Sequence, residues 1–147
     1  MKRCRGSAMD ESIRKAIFEQ VAKEPFSRKL DLRLVDLAEG YSRVEMTLTP
    51  DMENIFGMAH GGAIFSLLDV AFETACNSHG TTAVALNVMV TYMAAPAPGS
   101  TLTAEARELS CTRKTANYDI KAHDQEDRLI ASCQALAYRK GIPLPFL

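Results

Sequence analysis

The segment over residues 63–77 is a long, mostly apolar run in a chain whose other apolar residues largely alternate with polar ones. Its sequence, AIFSLLDVAFETACN, contains no glycine or proline and no alternation. His60-Gly61-Gly62 stands where a helix would begin, and His79-Gly80 supplies residues that commonly end one. The run is long enough for about four helical turns. It therefore predicts one mostly apolar helix that the rest of the chain has to cover.

Strands are predicted on both sides of this helix, because apolar and polar residues alternate there. Before the helix, alternation covers residues 30–34 and 43–48, with a turn at Glu39-Gly40 between them. After the helix, one long strand carries apolar residues at every second position from Val84 to Tyr92. Three further strands fit residues 101–110, 115–124 and 129–139. This order predicts an α+β domain whose helix lies against a largely antiparallel sheet.

The ends of the chain are predicted to lie outside this domain. Residues 1–9 are expected to be a disordered extension, residues 10–140 a single domain, and residues 141–147 an irregular tail. Within the domain, Asp10 can cap a short helix over residues 11–23, which Pro25 ends. A chain of 147 residues with 47% apolar residues can bury one core without disulfide or metal support.

The charge balance argues against several classes of partner. The chain has 17 basic and 18 acidic residues, whereas nucleic-acid-binding proteins usually have a marked basic excess. No apolar run has the length of a membrane helix. The four cysteines are widely spaced and the three histidines have no metal-ligand spacing, so no metal site is expected. These features predict a cytoplasmic protein without nucleic-acid or membrane partners.

One stripe of the predicted helix is polar, and it consists of Ser66, Asp69, Glu73 and Asn77. Such a stripe can simply face water. However, water-facing stripes usually carry lysine or arginine among the acids, and between Arg43 and Arg107 the chain has six carboxylates and neither cation. If Asp69 is partly buried, its pKa should rise, which suits a catalytic carboxylate.

Gly61 stands at the predicted N-terminus of the same helix, eight residues before Asp69. A helix N-terminus offers free backbone N–H groups that can hold a developing oxyanion, while a carboxylate activates water or attacks the carbonyl. Eight helical residues span about 12 Å, which is too far for both groups to act on one carbonyl. The pair would have to come from two subunits of a two-fold dimer, which would contain two equal sites.

The loop and helix together carry a recognisable signature. The residues Asn54-Ile55-Phe56-Gly57-Met58-Ala59-His60-Gly61-Gly62, followed by Asp69, closely resemble the N-x-x-G-x-x-H-G-G-x6-D motif of hotdog-fold acyl-CoA thioesterases of the PaaI-like family. The resemblance covers roughly residues 26–139. It implies a hotdog fold, in which an antiparallel sheet of five or six strands wraps a long central helix. It also implies homodimers that share their active sites and often form homotetramers.

The resemblance also implies roles for individual residues. The Gly61 N–H would polarise the thioester carbonyl, and Asp69 of the facing subunit would act as nucleophile or general base. Asn54 would position the water or the thioester, and His60 would orient the carbonyl side of the site. The only other reactant is water, so no cofactor is expected, and coenzyme A is part of the substrate.

Further residues are candidates for binding the substrate. Family members often have a serine or threonine on the strand after the helix that helps to hold the water, and Asn87 is near that position by spacing. Gly62 and Glu73 lie beside the proposed reacting groups. The phosphates of coenzyme A need cations, for which Arg113 and Lys114 are candidates, although they could equally be a solvated strand edge.

Three functions are compatible with these residues. The leading one is hydrolysis of an acyl-CoA to a carboxylic acid and free coenzyme A. A second is a non-catalytic protein that binds or senses acyl-CoA. A third is a hotdog hydratase or dehydratase, but such enzymes usually need a histidine–carboxylate pair, and this helix has Asp69 without a histidine beside it.

Overall fold

The structure, a computed structural model, describes residues 8–147. It contains three α-helices and six β-strands in an α+β arrangement, as the sequence predicts. The helices are α1 (Glu11–Lys23), α2 (Pro25–Lys29) and α3 (Gly61–Asn77). The strands are β1 (Arg33–Ala38), β2 (Tyr41–Thr47), β3 (Thr81–Tyr92), β4 (Thr101–Cys111), β5 (Thr115–His123) and β6 (Leu129–Pro143).

The six strands form one antiparallel sheet in the order β1-β2-β4-β5-β6-β3. The chain leaves β2, passes through α3 and returns as β3 at the far side of the sheet, beside β6. The long strand β3 is therefore an edge strand, paired with β6 alone.

The core lies between α3 and one face of the sheet. Leu67, Leu68, Ala71 and Ala75 of the helix are fully buried. Many of the buried sheet residues that face them are alanines, including Ala104, Ala106, Ala122, Ala131 and Ala137. These small side chains let the long helix lie close to the sheet, and the larger Phe72 fills the space beside Tyr118 in an edge-to-face ring contact of 5.4 Å.

The helix predicted over residues 11–23 is confirmed as α1, and the Asp10 side chain accepts from Ser12 N at 2.8 Å. Pro25 ends α1, as predicted, and it also occupies the first position of a short second helix, α2, which was not predicted. A proline is well suited to that position because its missing N–H would have no partner there. The first strand consequently begins at Arg33 rather than near residue 30.

The two chain ends also differ from the prediction. Strand β6 runs on to Pro143, so the tail predicted to be irregular from residue 141 contributes three residues to the sheet. Pro143 stands at the end of the strand, where a missing N–H is tolerated. Residues 1–7 of the predicted disordered extension lie outside the described residues, but Met9 is partly buried against the core. Within residues 8–147 no helix is both long and apolar enough to span a membrane.

Candidate functional site

The loop before α3 is organised by Asn54. Its side-chain oxygen accepts hydrogen bonds from Phe56 N at 2.9 Å and Met58 N at 3.2 Å. Its backbone N–H donates to the Met58 carbonyl at 2.7 Å. Gly57 closes the loop with a φ of +68°, a conformation that favours glycine. The Asn54 side chain thus shapes the loop through its oxygen, and its amide nitrogen is left to donate elsewhere.

His60 is the N-cap of α3. Its Nδ1 accepts a hydrogen bond from Gly62 N at 2.8 Å, so the neutral ring carries its proton on Nε2. The Gly62 N–H is thus already engaged in an intramolecular hydrogen bond. Gly62 is therefore a poor candidate for donating to a substrate. His60 is exposed and its Nε2–H remains a donor next to the helix terminus.

The neighbouring Gly61 N–H has no acceptor among the described residues, because α3 starts its own hydrogen bonding at later residues. Tyr92, at the end of β3, donates from its hydroxyl to the Gly61 carbonyl at 3.0 Å. Tyr92 was not predicted as a site residue from the sequence. The alternation in β3 assigns it a face of the strand, but not its distance from the helix N-terminus.

Asp69 is half-buried and forms no hydrogen bond or ion pair with any described residue. Burial raises the pKa of its carboxyl, and Glu24 at the junction of α1 and α2 raises that pKa further. Asp69 is therefore a partly buried carboxylate without a cationic partner among the described residues, which is the condition that the catalytic interpretation required. Such a group holds its proton more tightly than an exposed aspartate.

In the polar stripe of α3, the side chains at the two ends form hydrogen bonds within the protein, whereas the two carboxylates in the middle have no partner among the described residues. Ser66 donates to the Gly62 carbonyl at 2.7 Å. Asn77 bonds both backbone groups of Ala83, at 3.2 and 2.8 Å, which joins the end of α3 to β3. Between them, Glu73 has no ion pair with a described residue. Burial raises the pKa of its carboxyl to about 7, and the nearby Glu24 and Asp69 contribute to this rise.

A cavity of about 340 Å³ lies beside Glu73. Helix α1, helix α3, the start of β3 and the C-terminal residues enclose it. The surface of its wall is largely apolar, and the polar lining residues are Gln20, Glu24, Glu73, Thr74, Asn77 and Thr82. Of the stripe residues, Glu73 and Asn77 therefore border a recess, and Glu73 remains exposed at its edge.

The structure does not bring Asn87 to this site. Residues directly opposite each other in an antiparallel pair share a face of the sheet, and Asn87 pairs with Leu136. The helix-facing residues of β6 are Cys133, Ala135 and Ala137, so Asn87 lies on the opposite, outer face. A register shift between Ala85 and Asn87 contributes to this placement, which spacing along the sequence could not show.

Arg113 and Lys114 lie in the β4–β5 turn, far from the Gly61 end of the same chain. The Lys114 carbonyl accepts from Arg139 N, whereas Tyr92, next to Gly61, pairs with Ala131. Eight residues of β6 separate these two levels, which corresponds to about 26 Å. Within one chain the two cations are therefore remote from the helix N-terminus.

The structure does bring a cysteine and a histidine together, contrary to the sequence expectation. Ligand atoms of His79, Glu108 and Cys111 lie within 4.8 Å of one another. His79 Nε2 is 2.6 Å from Glu108, and Arg139 donates to the Cys111 sulfur at 2.7 Å. A metal ion would have to displace this guanidinium, so the group is better described as a charged network than as a metal site.

Comparisons with known proteins connect this arrangement to a family. The family described as the Thioesterase superfamily matches residues 56–131 of the chain. A putative esterase of Archaeoglobus fulgidus is 41% identical over 116 residues, which cover 79% of this chain and 75% of that protein. The acyl-coenzyme A thioesterase PaaI of Escherichia coli is 35% identical over 115 residues, 78% of this chain and 82% of that protein.

A solved structure matches over almost the whole chain. The structure of the Escherichia coli PaaI protein from the phenylacetic acid degradation operon superposes with a TM-score of 0.87 at 30% sequence identity. The match covers 92% of this chain and 98% of the other. The α3-against-sheet architecture described above is thus the hotdog fold of these proteins.

Proposed function

The chain belongs to the thioesterase superfamily, whose members include thioester hydrolases, and we propose that it hydrolyses acyl-coenzyme A thioesters to a carboxylic acid and free coenzyme A. The substrate class comes from the Escherichia coli relative, which is named an acyl-coenzyme A thioesterase. The observation that carries the proposal is the half-buried Asp69, which has no partner among the described residues and whose pKa is raised. Its helix begins with a backbone N–H, that of Gly61, to which the described residues offer no acceptor.

The reaction assigned to these groups is addition followed by elimination. Acting as general base, Asp69 takes a proton from water while the oxygen of that water adds to the thioester carbonyl. The negative charge that develops on the carbonyl oxygen is held by the Gly61 N–H and the positive end of α3. The C–S bond then breaks, and the thiolate of coenzyme A leaves and takes up a proton. Direct attack by Asp69, with water cleaving the resulting anhydride, gives the same products.

Two subunits are needed for this chemistry. Gly61 and Asp69 are separated by about 12 Å along one helix, so one carbonyl cannot touch both in the same chain. Strand β3 offers a means of pairing, because its outer edge is free within the described residues and it exposes Val84, Leu86 and Met89. We assign the dimer contact to this edge. The tetramer that the resemblance implies remains a prediction.

Other residues around the proposed site can bind the water or the substrate. The free amide nitrogen of Asn54 and the Nε2–H of His60 are donors near the helix N-terminus, where they can hold the water or the thioester. Glu73, about one helical turn after Asp69, borders the 340 Å³ cavity, which suits contact with the acyl group. Arg113 and Lys114 could meet coenzyme A phosphates only if another subunit places them there.

The test measures free coenzyme A, separated by chromatography, from a panel of aryl-acetyl, medium-chain and branched acyl-CoAs. Chromatography is preferable to a thiol reagent because the chain has four cysteines of its own. We expect Asp69→Asn to retain its fold and lose about 10²- to 10⁴-fold in kcat, as for loss of an acid–base group. Asp119→Asn is the matched control, since Asp119 lies on β5 and its carboxylate pairs with Lys121 at 3.1 Å.

The other outcomes distinguish the alternative functions. Tight binding of an acyl-CoA without release of coenzyme A would identify a binding or sensing protein. Addition of water to an unsaturated acyl-CoA with the thioester intact would identify a hydratase. An Asp69→Asn variant with the kcat of the wild type would remove Asp69 from the mechanism.

A further inference from the structure

Helix α3 starts at a place where a helix is intrinsically weak. Its first two residues, Gly61 and Gly62, are the poorest helix formers apart from proline. Two side chains from outside the helix hold this first turn. His60 accepts from Gly62 N, and Tyr92 donates to the Gly61 carbonyl.

The contact between Tyr92 and Gly61 is close as well as polar. The Tyr92 hydroxyl lies 3.0 Å from the Gly61 carbonyl oxygen. A Cβ atom placed on Gly61 would lie 3.2 Å from Cζ and 3.3 Å from the hydroxyl oxygen of Tyr92. The ring therefore lies directly against the Gly61 backbone, in space that a side chain on residue 61 would need.

Tyr92 is itself well anchored. It is the last residue of β3, where it pairs with Ala131 of β6. The next residue, Met93, donates to the Ile130 carbonyl at 2.8 Å, which continues the pairing beyond the strand. The first turn of α3 is thus tied to the sheet through one phenol, although half of the Tyr92 surface is exposed.

We propose that Tyr92 is a positioning residue: by holding the Gly61 carbonyl it restricts rotation of the backbone at Gly61, which keeps the Gly61 N–H directed at the developing oxyanion. The proposal rests on the proposed function, because it assigns Tyr92 a task only if Gly61 holds an oxyanion. An oxyanion donor is effective only when it is held in place before the reaction, and small changes in its direction weaken it. Tyr92 has no direct contact with the reacting atoms in this role.

Removal of the hydroxyl alone tests this role. We expect Tyr92→Phe to lower kcat about tenfold, the loss expected when one hydrogen bond no longer supports the transition state. The dissociation constant of a non-hydrolysable acyl-CoA thioether should change less than twofold, because ground-state binding does not need the oxyanion contact. Tyr41→Phe is the matched control, since its phenol stacks near Arg107 at the far side of the sheet.

A second variant keeps the test decisive if Tyr92→Phe folds poorly. In Gly61→Ala the new Cβ would lie 3.2 Å from Cζ of Tyr92, so the phenol has to shift by a few tenths of an ångström and its hydrogen bond to the Gly61 carbonyl is distorted. The kcat of Gly61→Ala should fall by a similar factor, and the double variant Gly61→Ala/Tyr92→Phe should be no slower than the slower single variant. Additive losses in the double variant would show that the two residues act independently and would overturn the proposal.

The outcomes separate this proposal from the proposed function. If the wild type hydrolyses acyl-CoA and Asp69→Asn does not, but Tyr92→Phe keeps its kcat, only the role of Tyr92 fails. A parallel loss of thioether binding, melting temperature or oligomer mass in Tyr92→Phe would make the tyrosine a structural residue and also overturn the proposal. A wild type that hydrolyses no acyl-CoA would overturn both.

Discussion

At the scale of single residues, Gly61 contributes two separate properties. Its missing side chain makes room for the Tyr92 ring, and its backbone N–H is free at the start of α3. Every substitution other than proline adds a side chain and keeps the N–H. Proline and alanine together can separate them, because both add a Cβ and only proline removes the N–H.

Gly61→Pro is compatible with the local backbone. Residue 61 is the first helical position, where proline is favoured, and His60 before it has a φ of −67° and a ψ of 131°, which a following proline tolerates. We expect Gly61→Pro to be about 10²- to 10³-fold slower in kcat than Gly61→Ala, the cost of removing one oxyanion donor. Steady-state kinetics with the best acyl-CoA measure this ratio. Equal kcat values would exclude the Gly61 N–H from the reaction.

Glu73 predicts a pH dependence of stability. The pKa of its carboxyl rises from 4.5 to about 7 on folding. A group that binds protons more tightly in the folded state favours folding as the pH falls. The destabilising charge on Glu73 is therefore absent below about pH 4.5 and complete above about pH 7. We expect Glu73→Gln to raise the melting temperature at pH 8 and to leave it unchanged at pH 4.

Thermal unfolding at several pH values checks this prediction. Glu126→Gln is the control, because Glu126 is an exposed acid in the turn before β6, away from the cavity. The difference between Glu73→Gln and wild type should grow between pH 4.5 and 7, whereas the control should show no such trend. A constant difference across this range would contradict the raised pKa.

At the scale of elements, the sequence predicted those whose signals are local. The Asp10 cap, α1 and the length of α3 depend on neighbouring residues, and all three are confirmed. The end of α1 before Pro25 is also confirmed, whereas α2 was not predicted, because proline can both end one helix and begin another. The extension of β6 to Pro143 depends on pairing with Thr81, more than sixty residues away, which no local pattern reports.

The site residues show the same difference between local and long-range signals. The motif predicted Gly61, Asp69 and Asn54, because their spacing in the chain is fixed by one loop and one helix. Asn87 was predicted by spacing along a strand, and the register shift beside it makes such spacing unreliable. Tyr92 and Glu24 were missed since their contacts with α3 come from other elements.

The end of α3 provides a stability prediction at this scale. Gly80 has a φ of +75°, and a Cβ there would lie 2.5 Å from Cδ1 of Ile13 in α1. Gly99 has a φ of +74° with no atom within 4 Å of the added Cβ, so Gly99→Ala measures the backbone cost alone. We expect about 1–2 kcal/mol of destabilisation for Gly99→Ala and more for Gly80→Ala. Denaturant unfolding measures both, and equal losses would show that α1 yields freely at this contact.

At the scale of the whole molecule, the proposed mechanism requires two subunits. The helix that carries Asp69 also carries Gly61, and its rigidity keeps them about 12 Å apart. The insertion of α3 between β2 and β3 leaves β3 at the sheet edge, with exposed apolar residues along it. We expect a second copy paired there to bring the Gly61 of one subunit toward the Asp69 of the other.

In the proposed mechanism each site combines Gly61 and Asp69 from different subunits, and mixed dimers test this arrangement. Asp69→Asn and Gly61→Pro chains, each carrying a different mass tag, are co-expressed, and the acyl-CoA hydrolysis of the mixture is measured. Each mixed dimer would contain one site with both residues intact and one site with neither. Random pairing puts half of the dimers in this form, so about a quarter of the wild-type activity should return. Activity that stays at the level of the separate variants, while mass spectrometry shows mixed dimers, would contradict the shared site.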